Sequence, residues 1–185
     1  MPQSKVFYMK VMWRRLIFCF LLVAIMAACG FTNKKQDKAP TVNNNIKIFF
    51  TPSTDCEVNI INEINKANKM DIAVYSITNP NITSSLIAAH QRGAIIRIIT
   101  DRTQSKVKGS LVETIKTAGI PVLTNRKHKI EHNKFAVFDD THVVSGSYNW
   151  TVNASKYNSE NCLFFDQPDK EYSKRFKYLW NLYQK

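Results

Sequence analysis

The chain of 185 residues has few of the residues that mark specialised architectures. It holds only 5 glycines, 6 prolines and 4 cysteines, and it contains no low-complexity segment and no internal repeat. These shortages exclude a solenoid, a fibrous protein and a scaffold held by many disulfides. Hydrophobic residues make up 44% of the chain and aromatic residues 11%, which is enough for the core of one ordinary domain.

Acidic residues are also scarce, with 14 Asp and Glu against 26 Lys and Arg, so the formal net charge is +12. The few carboxylates form no cluster in the sequence, and the single histidine pair, His128 and His132, is a poor zinc site, so we expect neither a metal site nor a cofactor. The basic surplus favours a polyanionic partner, either nucleic acid or an anionic membrane surface. The alternative is that a basic domain is merely soluble.

Only one long hydrophobic run occurs, at residues 16–28, and it follows a basic start. The run is too short for a comfortable membrane span and ends in small residues, which predicts a secretory signal peptide over residues 1–28. The segment Met26-Ala27-Ala28-Cys29-Gly30 resembles the lipobox of bacterial lipoproteins, which implies that Cys29 is acylated. Plain cleavage near Ala28 and an uncleaved N-terminal anchor are the alternatives.

Each alternative places the rest of the chain outside the cytoplasm, in the periplasm or cell envelope as a membrane-anchored lipoprotein, or secreted. Residues 29–45 are polar and unpatterned, which predicts a flexible tether. Residues 46–185 then form the folded domain. Of its two cysteines, Cys56 and Cys162, the sequence leaves open whether they form a disulfide or stay as two buried thiols.

Strand and helix patterns alternate along this domain. We predict helices at 56–68, 81–92, 105–118 and 170–183, with Asn81 or Thr83 as the cap of the second and Gly93 as its end. We predict strands at 46–50, 71–77, 94–100, 121–124, 134–138, 142–145 and 161–165, the fifth and sixth forming a hairpin. This order predicts an α/β fold: a mixed β-sheet flanked by helices on both faces.

The residues that carry chemistry lie in HNKFAVFDDTHVVSGSYNW and in the NSEN segment that follows. His132 and Lys134 are two residues apart at the start of a predicted strand, so their side chains point the same way. Ser147 and Asn149 repeat that spacing in the next turn, although a Gly-Ser-x-Asn segment can also be a simple turn.

The spacing His-x-Lys-x4-Asp-x6-Gly-Ser-x-Asn resembles the HKD signature of the phospholipase D superfamily. The residues are His132, Lys134, Asp139, Gly146, Ser147 and Asn149, and Glu160 falls where the short bacterial nucleases of this superfamily carry a glutamate. The likeness runs from about residue 46 to the end. It implies the phospholipase D/nuclease-like sandwich for residues 46–185.

The resemblance also implies a role for each residue. His132 would attack phosphorus and form a phosphohistidine, while Glu160 holds the other ring nitrogen. Lys134, with Ser147 and Asn149, would bind the phosphate oxygens. Asp139 belongs to the same catalytic signature, but strand alternation places it on the face opposite Lys134, so we expect it to tie the hairpin or a subunit contact.

Two further expectations complete the hypothesis. His128, four residues before His132, is expected at a substrate groove or plain surface, because no carboxylate or cysteine cluster accompanies it. Because the chain has one motif where longer relatives have two, we expect a homodimer in which a second His132 acts as general acid and base.

Three functions compete for this domain. The first is a metal-independent, non-specific endonuclease acting on DNA or RNA, with basic residues flanking the groove: Lys106, Lys108, Arg126, Lys127, Lys129 and Lys134. The second is a phospholipase D acting on membrane phospholipids, against which no apolar lid or interfacial helix is visible after residue 28. The third is a non-catalytic surface lipoprotein that binds polyanions.

Overall fold

A computed structural model describes residues 46–166 and 170–185. The predicted signal peptide (1–28), the lipidation of Cys29 and the tether (29–45) lie outside the described residues and stay predictions. Within the described ranges, no helix is both long and apolar enough to cross a membrane.

Seven strands form one mixed sheet in the order β1-β7-β6-β5-β2-β3-β4. Strands β2, β3 and β4 run parallel to one another, and the remaining neighbours are antiparallel. In chain order the strands are Ile46–Phe50 (β1), Lys69–Val74 (β2), Ile95–Thr100 (β3), Val122–Thr124 (β4), Lys134–Phe138 (β5), His142–Gly146 (β6) and Asn161–Phe165 (β7).

Helices connect and cover these strands. In chain order they are Asp55–Lys66 (α1), Pro80–Gln91 (α2), Val112–Thr117 (α3), Val152–Lys156 (α4) and Lys170–Gln184 (α5), and a 3-10 turn spans Gln104–Lys106. Asn79 caps the N-terminus of helix α2, since its side chain accepts bonds from the amides of Asn81 and Ile82, and Pro80 is the first helical residue.

Each face of the sheet carries a separate apolar core. The larger core packs α1, α2 and α3 against one face and includes Ile64, Leu86 and Ile115. On the other face, Phe176 and Leu179 of α5 pack with other buried apolar residues of the sheet. A mixed sheet with helices on both faces was predicted from the sequence, and this fold class is confirmed.

A disulfide joins Cys56 of α1 to Cys162 of β7 across a sequence separation of 106 residues. It answers the question that the sequence left open between a disulfide and two buried thiols. Because the bond ties the first helix to a strand near the end of the chain, it removes conformational freedom mainly from the unfolded state.

Some local predictions differ from the structure, and the strand predicted at 71–77 is β2 at Lys69–Val74. The helix predicted at 105–118 is a 3-10 turn followed by the short α3, because Gly109 adopts a left-handed conformation (φ 85°) between them. The cap of α2 is Asn79 rather than Asn81 or Thr83. Helix α4 was not predicted, and it is capped by Thr151, whose hydroxyl accepts a bond from the Ala154 amide.

The directions of the strands bring many chain segments to one edge of the sheet. Strands β2, β3 and β4 end at this edge, and β5 and β7 begin there, since β5 is antiparallel to β2 and β7 to β1. The predicted chemical residues fall at these same strand ends, so the topology places most of them close together.

Candidate active site

The start of β5 presents His132 and Lys134 at this edge. His132 is exposed and Lys134 is half-buried, and the Lys134 ammonium donates a hydrogen bond to the His132 carbonyl at 2.7 Å. This bond holds the lysine side chain back over the strand start, next to the histidine. The two residues whose pairing the sequence predicted therefore lie next to each other in one chain, joined through the His132 backbone.

Tyr75, just beyond the end of β2, contacts both residues. Its ring lies 4.7 Å from the His132 ring, edge to face, and its ring centre lies 4.9 Å from the Lys134 ammonium. The aromatic face attracts the lysine cation, and the ring edge limits where the imidazole can turn. The sequence analysis missed Tyr75, because a tyrosine at the end of an apolar strand is indistinguishable from an ordinary core residue.

Glu160 stands beside Lys134, at the start of β7. Partial burial lowers the pKa of the Lys134 ammonium, and the negative charges of Glu160 and Glu131 act in the opposite direction. Within the described residues the His132 ring makes no hydrogen bond to Glu160, whose carboxylate accepts one from the Asn158 amide at 3.0 Å. Within one chain Glu160 acts on Lys134 through its charge, and its expected role as the holder of the His132 ring stays a prediction.

The backbone of Glu160 is fixed by Thr51, which follows β1. The Glu160 amide donates to the Thr51 hydroxyl at 2.9 Å, and the Thr51 amide donates to the Glu160 carbonyl at 3.0 Å. The Thr51 hydroxyl donates in turn to the Asn158 carbonyl at 2.8 Å. A buried threonine far away in the sequence therefore sets the position of the acidic residue.

The turn carrying Ser147 is clamped to the start of β7. The Ser147 amide donates to the Asn161 side chain at 3.0 Å, and the Asn161 amide donates to the Ser147 hydroxyl at 3.1 Å. Gly146 has a φ of 153°, and a side chain there would collide with the Asn161 carbonyl. Only glycine allows this close approach, and the Ser147 hydroxyl keeps its own proton for a ligand.

Asn149 lies two residues further along the same turn. Its side-chain oxygen is buried and has no hydrogen-bond partner among the described residues, so it can still accept a bond from a ligand or a neighbouring chain. Between Ser147 and Asn149, the Tyr148 hydroxyl bonds the Ser155 hydroxyl at 2.6 Å, and Ser155 donates to Glu57 at 3.0 Å. This buried chain of bonds anchors the turn from below.

A second buried network holds the segment just before His132. Glu131 is only 2% exposed, and its carboxylate accepts bonds from the Asn133 backbone and side-chain amides and from the Tyr183 hydroxyl at 2.7 Å. The Tyr183 hydroxyl also lies 2.6 Å from Nδ1 of His128. Since Tyr183 gives its proton to the carboxylate, His128 is the donor in this contact.

Asp101, at the end of β3, completes this network. Its carboxylate accepts bonds from the amides of Thr103, Gln104 and Glu131 at 2.8, 3.1 and 3.0 Å. Burial alone would raise the pKa of Asp101, but these bonds outweigh it and lower the pKa. Sequence reasoning missed Asp101 and Glu131, because isolated acids normally face solvent; the one available signal was an acid directly beside His132.

The structure does not bring Asp139 to this site. Asp139 lies at the other end of β5, about 17 Å along the strand from Lys134 at the usual rise per residue. Its carboxylate accepts the amides of Asn68 and Lys69 at 2.9 and 2.8 Å, and it adopts a left-handed conformation (φ 50°) in the hairpin turn. This position corrects its place among the catalytic residues and agrees with the expected role of tying the hairpin.

Among the described residues, no group of three or more His, Cys, Asp or Glu side chains is arranged to hold a metal ion. The site instead combines an exposed imidazole, a lysine cation held in place and a hydroxyl and amide on the next turn. Such a combination of a nucleophile with fixed donors is the class of site that handles phosphate esters.

Comparison with known proteins leads from this class to a family. The family model described as "Cardiolipin synthase, PLD-like domain" matches residues 60–180, well over half of the chain. The chain belongs to the phospholipase D superfamily, as its sequence resemblance indicated.

Two relatives illustrate the likeness in sequence. The mitochondrial cardiolipin hydrolase of Xenopus laevis is 32% identical over 136 residues, covering 71% of this chain and 65% of that protein. The phospholipase D of Rickettsia prowazekii (strain Madrid E) is 33% identical over 138 residues, covering 74% of this chain and 66% of that protein. The chain spans half to about two thirds of the length of the curated cardiolipin hydrolases it matches.

Two solved structures are similar in fold. Nuc from Salmonella typhimurium, described as a phospholipase D family member, superposes with a TM-score of 0.70 at 27% identity, covering 75% of this chain and 95% of that chain. NucT from Helicobacter pylori superposes with a TM-score of 0.69 at 25% identity, covering 75% and 96%. Each match covers nearly the whole of the solved chain, so the likeness extends over the complete fold of those two proteins.

Proposed function

We propose that the chain is a phosphodiesterase that cleaves nucleic-acid backbones with low sequence specificity, through a phosphohistidine and without a metal ion. The observation that carries the proposal is the exposed His132 beside a fixed Lys134, opposite the Ser147 turn, in a member of the phospholipase D superfamily. The basic surplus of the chain favours a polyanionic substrate over a neutral one.

The reaction would take place in two displacements. A ring nitrogen of neutral His132 attacks phosphorus, the bond from phosphorus to the leaving oxygen breaks, and a general acid gives that oxygen a proton. Water then attacks phosphorus, a general base takes its proton, and the phosphorus–nitrogen bond breaks to return neutral His132. In both steps the Lys134 ammonium neutralises charge on the phosphate oxygens, and the Ser147 hydroxyl and the Asn149 NH₂ group donate hydrogen bonds to them.

The general acid and base would come from a second copy of the chain. In the described part of the chain, the ring of His132 contacts Tyr75 rather than a second histidine, and the exposed position of His132 leaves it accessible to a partner. In a two-fold dimer, His132 of the partner subunit would give and take the protons. Light scattering of the active enzyme tests this arrangement, and an active monomer would contradict it.

Glu160 would act through Lys134. Its negative charge favours the protonated lysine, so Glu160→Gln removes that support and lowers the pKa of Lys134 further. The basic limb of the kcat/KM profile should therefore move to lower pH, while Asn158→Ala, which removes only the neutral partner of Glu160, should leave the limb near its original position. An unmoved limb in Glu160→Gln would instead favour a role on His132.

The central experiment offers DNA, RNA and cardiolipin vesicles in parallel, with excess EDTA. Nucleic-acid cleavage should persist, and His132→Ala and Lys134→Ala should each abolish it. His142→Ala is the matched control, because His142 is exposed at the far end of β6 and should not affect turnover. A labelled phospho-enzyme should form in the wild type and not in His132→Ala; EDTA-sensitive cleavage would contradict the mechanism.

Phospholipid is the second candidate substrate. The observation in its favour is that the curated relatives at 30–34% identity are named cardiolipin hydrolase and phospholipase D. A lipid enzyme should require a bilayer or micelle surface and should respond weakly to salt, whereas nucleic-acid cleavage should fall steeply as salt rises. Cleavage of cardiolipin alone would replace the nuclease proposal with the lipid one.

Export and anchoring are separate proposals that rest on residues 1–29. If Cys29 is acylated, the protein should be labelled with palmitate in cells and be found in the membrane fraction. Cys29→Ser should then release it. Wild-type protein that takes up no label would favour plain cleavage or an uncleaved anchor.

A further inference from the structure

An open cleft of about 470 Å³ lies where β3 and β4 end, on the same sheet edge as His132. Four cationic side chains and one acid take part in its lining, which consists of Arg102, Ser105, Lys106, Glu113, Lys116, Thr124 and Arg126. The single acid is already engaged, since Glu113 accepts an ion pair from Lys116 at 2.8 Å.

The other three cations have no ion-pair partner among the described residues: Arg102, Lys106 and Arg126. They nevertheless project from two fixed turns. The Asp101 carboxylate binds the amides of Thr103 and Gln104, and the Asn125 side chain accepts bonds from the amides of Lys127 and His128. Like charges held together on rigid turns, with no internal partner, form a site that an anion would stabilise.

A shared hydrogen-bonding residue, Asp101, links the backbone of this cleft to that of the candidate active site. Asp101, which fixes the Arg102 turn, also binds the Glu131 amide, one residue before His132. Strands β3 and β2 separate β4 from β5, so the cleft lies about 10–14 Å from the start of β5 at the usual strand spacing. The exposed Lys127 and Lys129 lie in the loop between them.

We propose that this cleft binds a backbone phosphate of the substrate strand, some nucleotides away from the phosphodiester that His132 attacks. A nucleic-acid strand presents phosphates at regular intervals and can reach both places, and arginine forks bind phosphate oxygens in pairs. A phospholipid headgroup carries its phosphates close to the bond that is cleaved and does not reach the cleft. The inference rests on the proposed nuclease function.

The test compares the double variant Arg102→Ala/Arg126→Ala with the double variant Lys66→Ala/Lys177→Ala. Both remove two exposed positive charges, but Lys66 and Lys177 lie away from the cleft. Binding is measured by fluorescence anisotropy of a labelled oligonucleotide, in a His132→Ala background so that no cleavage is needed. Turnover is measured on the oligonucleotide and on bis(4-nitrophenyl) phosphate, which is too small to reach the cleft.

The cleft variant should bind the oligonucleotide at least about 10-fold more weakly than the control variant. The slope of log K against log salt should fall by roughly 0.7–0.9 for each phosphate that the variant no longer neutralises. The ratio of kcat/KM on the oligonucleotide to that on the small diester should fall by a similar factor. Equal binding by the two double variants overturns the proposal, as does a loss confined to cardiolipin vesicles.

The binding readout also separates this inference from the proposed function. If the wild-type protein cleaves no nucleic acid, the nuclease proposal fails on turnover, whatever the anisotropy shows. If cleavage proceeds and the cleft variant binds like the control variant, only the cleft proposal fails.

Discussion

The hydroxyl of Tyr183 offers a sharp test of how the segment before His132 is held. Tyr183 is 4% exposed, and its hydroxyl donates to the buried Glu131 carboxylate at 2.7 Å while contacting His128 at 2.6 Å. Burial and the Glu131 carboxylate both raise the pKa of this tyrosine, so it stays neutral and keeps the proton that it donates. The substitution Tyr183→Phe removes this one group and keeps the packing of the ring.

The expected loss follows from what the hydroxyl leaves behind. A hydrogen bond to a charged group contributes about 1.5–3 kcal/mol, and an acceptor left buried and unpaired costs a similar amount. We therefore expect the free energy of unfolding to fall by about 2–3 kcal/mol, which lowers Tm by roughly 4–10 °C for a domain of this size. Because Glu131 is adjacent to His132, kcat should also fall, by roughly 10–100-fold.

Thermal unfolding with the disulfide intact gives Tm, and turnover of bis(4-nitrophenyl) phosphate gives kcat. Tyr178→Phe is the matched control, because Tyr178 lies on the same helix but is 55% exposed, with no hydrogen bond from its hydroxyl among the described residues. The control should change neither quantity. If both variants melt at the same temperature, the buried network does not stabilise this segment, and the account of how His132 is positioned is refuted.

Three other changes test the frame of the site. Gly146→Ala should lower the free energy of unfolding by about 1–3 kcal/mol in urea, because a side chain would meet a backbone carbonyl, and more than Gly109→Ala, where a side chain meets only open space. Replacing Cys56 and Cys162 together by Ser should cost about 2–4 kcal/mol, and reduction of the wild type should cost as much; no change in the urea midpoint would contradict this. Burial raises the pKa of Tyr148 to about 12, so the folded state favours the neutral phenol. The free energy of unfolding that this preference contributes is complete below about pH 10 and is lost as pH rises towards 12. The urea midpoint of Tyr148→Phe should therefore fall less than that of the wild type over this pH range.

The sequence was sufficient where a local pattern carries the information. The apolar runs of β3, β5 and β6 predicted those strands within one residue. The spacing of His132 and Lys134 predicted that they lie together, as they do. The place given to Asp139 among the catalytic residues was wrong, whereas its expected role of tying the hairpin was right. These properties depend on neighbouring residues, which one sequence displays directly.

The sequence was insufficient where a residue takes its role from a distant partner. Glu131 becomes a buried acceptor only because α5 brings Tyr183 to it, 52 residues later in the chain. Thr51 fixes Glu160 across a separation of 109 residues. No local pattern distinguishes such residues from solvent-facing acids and hydroxyls. The prediction of one helix at 105–118 failed for another reason, because the spacing of apolar residues does not reveal that Gly109 adopts a left-handed conformation.

The direction in which β1 runs determines how the protein would sit when it is immobilised through its N-terminal side. Ile46 begins β1 opposite Phe165, at the edge of the sheet away from His132, and Phe50 ends β1 at the reactive edge. A tag or immobilised linker joined ahead of Ile46 therefore attaches about 17 Å from the reactive edge, the length of one five-residue strand. The length of the sheet would separate the support from the strand ends near His132, and these strand ends would face the medium.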